Sequence, residues 1–485
     1  MNARSASRSD ARASPAMRDA EVRALVERHV DDVGRDLAER AARAGLAVTL
    51  ADGTHAPIPI AAVPIVLDDA EIERRAAIAR DLAAATAKAA RWRMRGEERD
   101  AVLRALGPTE RRLVAATWDG PDELAVARVD FMGAQALEVN ATIPAMQAYS
   151  DIAAAAWIET FAAGRADARE LVAANGSNAD ALLASLLALH RHARGGDPRR
   201  VALLCRRRDA QSTELSYLRG RWARTVPGVR IAHPEDVRDG AGGFLVHDGE
   251  RIDLVYRHLF LSRLDAQASP ALEARIAAGP GAPGTLVLNR PAPHLEMKST
   301  LATLSRAADD DALAGAVGLD AHERAIVRAH VPLTRMLVRA DPALVEEVAA
   351  SQDEFVLKRS WSYGGSEVYV GRALRDAAAW RRVQRQFPAV SRWDELVHEA
   401  ARDHGRGGFL VQRAVERTDM WQFLCTPAAI ERTRAVVDYA AFASIGSTPA
   451  WGGVSRAAAS DVVNIVGGGA VVPVIRASVA ARLLG

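Results

Sequence analysis

Residues 354–371 read EFVLKRSWSYGGSEVYVG, and this stretch is the strongest local signal in the chain. An apolar strand ends in Lys358, a polar loop follows with adjacent Gly364 and Gly365, and a second strand returns. Glycines let backbone N–H groups approach phosphate oxygens, and a lysine adds a compact positive charge, so the pattern is typical of a nucleotide-covering hairpin. A P-loop is excluded, because G-x-x-x-x-G-K-[ST] must open a helix. An ordinary glycine hairpin with an exposed lysine remains the alternative.

The scarcity of lysine gives this motif weight. Lysine occurs only at Lys88, Lys298 and Lys358, so 60 of the 63 basic residues are arginine. A lysine retained in such a chain marks a place where a compact ammonium differs from a guanidinium. Lys298 stands early in a predicted helix, where its side chain can reach a ligand at the helix N-terminus. Lys88 is expected on a solvated helix face.

A second hairpin is predicted in residues 127–145, ARVDFMGAQALEVNATIPA. Arg128 and Asp130 alternate on one face of the first strand, and Glu138 and Asn140 alternate on one face of the returning strand. Two carboxylates and an amide oxygen are hard ligands that suit Mg²⁺. The alternative is an antiparallel hairpin with a polar, solvent-facing side.

The C-terminal part contributes further polar residues. Gln412 ends an apolar strand in GGFLVQRAVE, and Arg456 and Asn464 precede the glycines 467–469. An arginine can neutralise phosphate through two parallel hydrogen bonds, so Arg456 is a candidate phosphate contact.

Composition excludes several classes of protein. The 485 residues are 49% hydrophobic and carry a net charge of only +2, so the arginines do not indicate nucleic-acid binding. Cys205 and Cys425 are far apart, which fits a reduced cytoplasm and excludes a disulfide framework. A membrane-spanning helix needs about 20 consecutive apolar residues, and no apolar run in the sequence approaches this length. We also predict a strand over 112–119 and a hairpin formed by 244–247 and 252–256.

The order of these segments resembles that of the circularly permuted ATP-grasp ligases, near eukaryotic glutathione synthetase and the synthetase domain of glutathionylspermidine synthetase. The resemblance covers residues 120–150 and 250–475 through short motifs. It implies an α/β (α+β) class and a circularly permuted ATP-grasp fold, with a preATP-grasp-like α/β domain and a helical N-terminal region. The implied organisation is a disordered tail over 1–20, a helical region plus the metal hairpin over 21–165, the substrate domain over 166–290 and the nucleotide-binding lobes over 291–485.

The resemblance also implies a role for each matching residue. Glu138 and Asn140 would bind Mg²⁺, with Asp130 as a third ligand and two ions in the site. Arg128, Lys358 and Arg456 would be catalytic, and Arg257 would contact the acceptor substrate. The residues implied to hold ATP are Lys298, Lys358, Gly364, Gly365, Gln412, Arg413, Ala414 and Glu416. One departure is visible, because the glycine loop has Ser360 and Ser362 where glutathione synthetases carry a metal-binding glutamate.

The implied activity is ATP-dependent ligation of a carboxylate to an amine through an acyl phosphate, with Mg²⁺. The substrates would be small molecules, such as amino acids, peptides or polyamines, with neither nucleic acid nor membrane as partner. A homodimer is compatible with the resemblance. Two alternatives stay open, an ATP-grasp phosphotransferase and a catalytically silent nucleotide-binding regulator.

Overall fold

The structure is a computed structural model and describes residues 15–121, 123–447, 452–465 and 467–484. Most of the disordered tail predicted over 1–20 lies outside these residues. The prediction was wrong for 15–20, because these residues form the start of helix α1 (Pro15–Arg43). Proline is favoured in the first turn of a helix, where its missing N–H costs nothing. The apolar side chains of Val22, Val26 and Leu37 then bury one stripe of α1 in the largest core.

The remaining α-helices are α2 (Asp69–Arg95), α3 (Arg99–Arg104), α4 (Pro108–Thr117), α5 (Gln147–Phe161), α6 (Ala168–Ala174), α7 (Asn178–Arg194), α8 (Ser212–Trp222), α9 (Pro270–Ala277), α10 (Pro293–Glu296), α11 (Lys298–Asp309), α12 (Asp311–Val317), α13 (Ala321–His330), α14 (Pro342–Ala350), α15 (Ala377–Gln384), α16 (Trp393–Arg402) and α17 (Ala477–Leu484). In the part of the chain that the structure describes, none of the helices is long and apolar enough to cross a membrane.

The strands are β1 (Ala47–Thr49), β2 (His55–Pro57), β3 (Ile60–Ala61), β4 (Ile65–Leu67), β5 (Leu124–Met132), β6 (Gln135–Asn140), β7 (Arg200–Leu204), β8 (Gly228–Ala232), β9 (Arg238–Asp239), β10 (Leu245–His247), β11 (Glu250–Ile252), β12 (Leu254–Arg257), β13 (Leu286–Leu288), β14 (Thr334–Leu337), β15 (Phe355–Arg359), β16 (Val368–Val370), β17 (Phe409–Arg413), β18 (Asp419–Cys425), β19 (Ile430–Ile445), β20 (Gly453–Ala458), β21 (Ala470–Val472) and β22 (Val474–Arg476).

The largest sheet has the order β18-β3-β21-β20-β19-β5-β6. β18 also pairs with the first half of β19, so the strands from β18 to β19 close into a ring, while the second half of β19 pairs with β5. The antiparallel hairpin β5–β6 forms the end of this sheet, as the sequence predicts. Across it, Asp130 lies directly opposite Glu138 and Arg128 directly opposite Asn140, so four polar side chains are brought to one place.

A second sheet is parallel and has the order β13-β12-β7-β8. The chain runs from β7 to its neighbour β8 and then returns to the other side of β7 with β12. The strand order therefore reverses between β7 and β12, and the loops that follow these two strands diverge there. Such a switch point, at the carboxyl ends of parallel strands, is where open α/β sheets bind ligands.

The third sheet is antiparallel, has the order β14-β17-β15-β16, and carries the glycine hairpin between β15 and β16. The side chains of Phe355, Leu357 and Phe409 form one core with Leu344 of α14 and Trp393 of α16. Because these helices cover one face of the sheet, the opposite face is left to line a cleft.

Two local predictions were wrong. Residues 112–119 belong mainly to α4, because Pro108 begins a helix after Gly107 and buries Leu113, Val114 and Thr117, a helical rather than an alternating pattern. Of the segment 252–256, only Ile252 pairs with 244–247, opposite Leu245 as the last residue of β11, while residues 254–256 belong to β12 and join the parallel sheet.

Candidate functional site

A cavity of about 170 Å³ lies between the third sheet and the β5–β6 hairpin. One part of its wall is apolar, and that part is built from both sides of the cleft. The apolar residues are Met132, Leu137, Val356, Val368, Val370, Val415, Val462 and Val463. An apolar slot beside a set of polar and charged groups is the usual form of a ligand pocket.

Lys358 lies in this cavity at the end of β15. Its Nζ donates to Gln412 Oε1 at 2.6 Å and to the Leu137 carbonyl at 3.1 Å, so it bridges two strands of the third sheet and the hairpin. The side chain is only 6% exposed, and burial lowers the pKa of its ammonium to about 8. No carboxylate of the described residues is in hydrogen-bond contact with this buried ammonium, so it is poised to receive an anion.

Lys298, the first residue of α11, is the second buried lysine. Its Nζ contacts Glu138 Oε2 at 3.1 Å and donates to the Ser362 carbonyl at 2.7 Å, which joins the helix start, the hairpin and the glycine loop. Burial raises the pKa of the Glu138 carboxyl, but the nearby Lys298 ammonium holds it below its ordinary value, so the carboxylate is ionised. Lys88, by contrast, forms an ion pair with Glu323 that joins α2 to α13 rather than lying on a solvated face.

A chain of alternating charges crosses the large sheet beside these lysines. Arg128 holds both oxygens of Asp130, at 2.7 and 3.0 Å, and Arg456 donates to Asp130 Oδ2 at 2.8 Å. Arg456 is held in turn by Asp438, its direct neighbour across β19 and β20. All four side chains are largely buried. Burial raises the pKa of Asp130, but the two arginines together hold it below its ordinary value.

These contacts determine which oxygen atoms remain available to bind a divalent cation. Glu138 contacts the Lys298 ammonium through Oε2, and Asn140 donates from its Nδ2 to Asp130 Oδ1 at 3.2 Å, which leaves the Asn140 Oδ1 to offer. One carboxylate and one amide oxygen fit Mg²⁺, which takes its other ligands from phosphates and water. Asp130 already accepts hydrogen bonds from Arg128 and Arg456. Glu367, the acidic residue closest in sequence to the glycine pair, forms an ion pair with Arg359. Among the described residues no three His, Cys, Asp or Glu side chains form a metal cluster.

Two loops meet over the cavity. Asn464 Nδ2 donates to the Gly364 carbonyl at 2.6 Å, which joins the C-terminal loop to the glycine loop. Gly365 has a φ of +66°, and a Cβ there would lie 2.7 Å from Val462 Cγ1. Glycine is therefore required at this position for both its backbone conformation and the close approach.

A second cavity of about 290 Å³ adjoins the first. Both cavities are lined by Arg128, Asn140, Gly364, Arg456 and Asn464, so these residues form the junction between them. The far wall is formed by the loops that follow β7 and β12, at the switch point of the parallel sheet. The first cavity thus opens onto the second between Arg128 and Arg456.

The fold can be compared with solved structures. A glutathione synthetase-like effector (GSS30) from Globodera pallida, in its apo form, matches with a TM-score of 0.56 and 10% sequence identity, over 94% of this chain and 97% of that one. The chain has the fold of glutathione synthetase-like ATP-grasp proteins. The ATP-grasp fold and the mixed α/β class predicted from the sequence are thereby confirmed, while the circular permutation and the domain boundaries stay predictions.

Two further structures match over part of the chain. D-alanyl-alanine synthetase A from Vibrio cholerae has a TM-score of 0.26 and 14% identity, over 49% of this chain and 66% of that one. The ATP-grasp ligase PsnB, complexed with a minimal precursor, has a TM-score of 0.24 and 16% identity, over 57% of this chain and 90% of that one. No protein-family model and no curated protein matches the chain.

Within this ATP-grasp fold, three predicted site residues lie elsewhere. Arg257 is 1% exposed and donates to the carbonyls of Leu259, Asn289 and Arg290, so its guanidinium stabilises the backbone and lines neither cavity. Ala414 and Glu416 follow β17, but neither residue lines the first cavity.

Lys298 does not line the first cavity, but it contacts Glu138, which does. The remaining predicted residues line the cavity itself. Those that line the first cavity are Arg128, Asp130, Glu138, Asn140, Lys358, Gly364, Gly365, Gln412, Arg413 and Arg456.

Sequence reasoning missed Asp438, Val415 and Arg417. Asp438 stands in the apolar run AVVDYAAFAS, where a single acid among buried residues signals a required partner. Val415 and Arg417 alternate with Glu416, and the structure shows that this alternating face turns toward the cavity.

Proposed function

We propose that the protein is an ATP-dependent carboxylate–amine ligase. The observation that supports this best is the convergence of buried Lys358, Arg128 and Arg456 on a cleft that opens onto a second cavity, with a second buried lysine, Lys298, in contact with Glu138 of the cleft wall. A binding site for ATP alone needs only the first cavity. The second cavity, reached through Arg128 and Arg456, supports transfer of a phosphoryl group to a bound acceptor.

The base of ATP would occupy the apolar slot beside Val356 and Val415. Lys358 and Lys298 would then neutralise the phosphates, while the N–H groups of Gly364 and Gly365 approach them from the covering loop. In such a pose the terminal phosphate lies toward the junction and faces Arg128 and Arg456.

The reaction would take place at this junction. A carboxylate oxygen of the first substrate attacks the γ-phosphorus of ATP, and the bond to the bridging oxygen breaks, which releases ADP and leaves an acyl phosphate. An amine then attacks the acyl carbon, and inorganic phosphate leaves as the amide forms. Arg128 and Arg456 are the groups available to stabilise the charge that the transferring phosphoryl group spreads over its oxygens.

Mg²⁺ would be held by Glu138 and Asn140, and it supplies charge neutralisation to the phosphates when bound. Asp130, implied as a third ligand, instead has the role of orienting the two arginines. We therefore assign one protein-held ion to this site and leave the second ion of the implied pair without a protein carboxylate.

The test is product analysis with purified protein, ATP and Mg²⁺, against pairs of carboxylic acids and amines. A ligase releases ADP and free phosphate together, and only when both substrates are present. A phosphotransferase releases ADP while the phosphate stays on its acceptor, and a silent binder takes up ATP without releasing ADP. The double variant Lys298→Ala/Lys358→Ala serves as the blank, and ATP binding without turnover on any pair would overturn the ligase proposal.

A further inference from the structure

One buried carboxyl group lies outside both cavities, although its partners reach the site. Glu214, in the first turn of α8, is 1% exposed and lines neither cavity. Within the described residues it forms no ion pair, and a carboxylate removed from water without a cation carries a large energetic cost. A carboxyl group kept in such a place needs hydrogen-bond donors, and the donors here are backbone N–H groups.

The donors to Glu214 stand at the start of α5. Glu214 Oε1 accepts hydrogen bonds from the N–H of Met146, at 2.7 Å, and from the N–H of Ala148, at 3.3 Å. Its Oε2 lies 3.5 Å from Gln211 Nε2. These bonds satisfy N–H groups that have no partner within the helix, and they attach the start of α5 to α8.

The peptide group between Ala145 and Met146 joins Glu214 to Arg128. Its N–H is the group that donates to Glu214, and its carbonyl accepts from Arg128 Nη1 at 3.1 Å. A trans peptide group is planar and directs its N–H and its carbonyl to opposite sides, so the direction of one fixes the direction of the other. Glu214 therefore controls the orientation of the carbonyl that Arg128 contacts.

The backbone of Met146 shows that this orientation has to be held. Met146 has a φ of +89° and a ψ of +12°, which lies in the left-handed region. Residues other than glycine and asparagine rarely adopt these angles, which belong to the third residue of a type II turn. In the related type I turn, φ at this position is about −90° and the preceding carbonyl points the other way. Loss of the bond to Glu214 would therefore favour rotation of the carbonyl away from Arg128.

We propose that Glu214 is a positioning residue that holds the Ala145–Met146 peptide group, and through it Arg128, in the orientation needed for phosphoryl transfer. This inference rests on the proposed ligase function, in which Arg128 stabilises the transferring phosphoryl group. Asp130 holds the same guanidinium through two further hydrogen bonds, so Arg128 is fixed by a carboxylate and by a backbone carbonyl. Glu214 itself contacts no substrate in this role, and it should act on kcat rather than on the KM for ATP.

Glu214→Met tests this role, because it keeps the length of the side chain and removes the acceptor. ADP release is measured with ATP, Mg²⁺ and the acid–amine pair that the wild-type protein turns over fastest. We expect kcat to fall by about tenfold or more and the KM for ATP to change by less than about twofold. Glu214→Gln retains an acceptor at Oε1 and should restore kcat to within about threefold of the wild-type value.

Asp253→Leu is the matched control. Asp253 is another buried carboxylate that accepts from two backbone N–H groups, those of Arg199 and Arg200, at 2.9 and 3.0 Å. It lines neither cavity and does not contact Arg128. Its replacement should lower stability without lowering kcat, and an equal loss of kcat in Asp253→Leu and Glu214→Met would overturn the proposal.

A double-mutant cycle separates positioning from general support of the fold. In an Arg128→Ala background the residue that Glu214 positions is absent, so Glu214→Met should lower the remaining rate by less than about twofold. An equal fall in the wild-type and Arg128→Ala backgrounds would overturn the proposal.

Hydrogen exchange tests the geometry without turnover. In Glu214→Met the amides of Met146 and Ala148 should exchange at least about tenfold faster than in the wild-type protein, whereas Asp253→Leu should leave their exchange unchanged. Unchanged exchange in Glu214→Met would overturn the proposal. Absence of ADP release from the wild-type protein with every acid–amine pair would instead overturn the ligase function, and hydrogen exchange would still decide whether Glu214 holds this peptide group.

Discussion

Asp438 and Arg456 are direct cross-strand neighbours, and the carboxylate holds the arginine at three atoms. Asp438 Oδ1 accepts from the backbone N–H of Arg456 at 2.9 Å, and its Oδ2 accepts from Nε at 3.0 Å and from Nη2 at 2.5 Å. The same guanidinium donates to Asp130 from the other side. The orientation of Arg456 is thus fixed before any substrate arrives, which is what electrostatic stabilisation of a transferring group requires.

Asp438→Asn should therefore reduce turnover more than binding. The amide keeps the shape of the side chain but loses one charged acceptor, so the guanidinium is free to shift. A displacement of about 1 Å can cost about 100-fold in rate, and we expect kcat to fall by about ten- to 100-fold with little change in KM for ATP. Steady-state kinetics test this, and Asp180→Asn, which breaks a surface pair with Arg221, is the control. Equal changes in kcat and stability in both variants would contradict a positioning role.

Lys358→Arg should nearly abolish ATP turnover although the charge is kept. The ammonium fits between Gln412 and the Leu137 carbonyl in a space that is almost closed to solvent. A planar guanidinium is larger and directs its N–H groups differently. We expect ATP binding to weaken by about tenfold or more. Lys88→Arg, in an ion pair remote from the cavity, should retain wild-type binding, and similar behaviour of the two variants would refute the role of Lys358.

Glu138→Gln should weaken the dependence of ATP binding on magnesium. The substitution keeps the size of the side chain but removes the carboxylate that we propose binds the ion. A magnesium titration at fixed ATP should shift to higher concentration by about tenfold. The substitution also removes the ion-pair partner of Lys298, which can change ATP binding by itself. A titration with ATP in the absence of magnesium measures that separate effect. An unchanged magnesium midpoint would remove the hairpin from consideration as the metal site.

The sequence predicted the parts of this site that depend on short-range patterns. Alternation alone places Arg128, Asp130, Glu138 and Asn140 on one face of a hairpin, and the register of β5 and β6 confirms it. The rarity of lysine singled out Lys298 and Lys358. Both are local signals, because strand periodicity and composition need no knowledge of what packs where.

The remainder depended on contacts between distant segments. Nothing local shows that Asp130 is shared by Arg456, which is 326 residues away, instead of facing a metal ion. Arg257 resembles a substrate contact in sequence, but its burial under the carbonyls of residues 289–290 is a tertiary fact. The switch point between β7 and β12 likewise follows only from strand order, which hydrophobic patterns do not specify.

Gly365→Ala should impair nucleotide binding more than Gly364→Ala. Both glycines have a φ of +66°, so an added methyl group strains the backbone equally. Only at Gly365 would it also collide with Val462, at 2.7 Å, since nothing lies within 4 Å of the corresponding position at Gly364. We expect a KM for ATP at least about threefold higher in Gly365→Ala than in Gly364→Ala. Identical values would show that the contact with the C-terminal loop does not matter for binding.

Glu214 should make stability depend on pH in the wild-type protein. Burial raises the pKa of this carboxyl from 4.5 to about 7, although the N–H groups of Met146 and Ala148 oppose the shift. Between pH 4.5 and 7 the folded state therefore keeps a proton that the unfolded state has released, so the free energy of unfolding falls as the pH rises through this window, by on the order of 3 kcal/mol. Urea denaturation at pH 5 and pH 8 measures the fall, which Glu214→Gln should reduce by this contribution, while Asp151, whose pKa burial raises to about 6, adds to the part that remains. Glu159→Gln, at an exposed glutamate of α5, should leave the fall intact, and an equal fall in all three proteins would assign it to other groups.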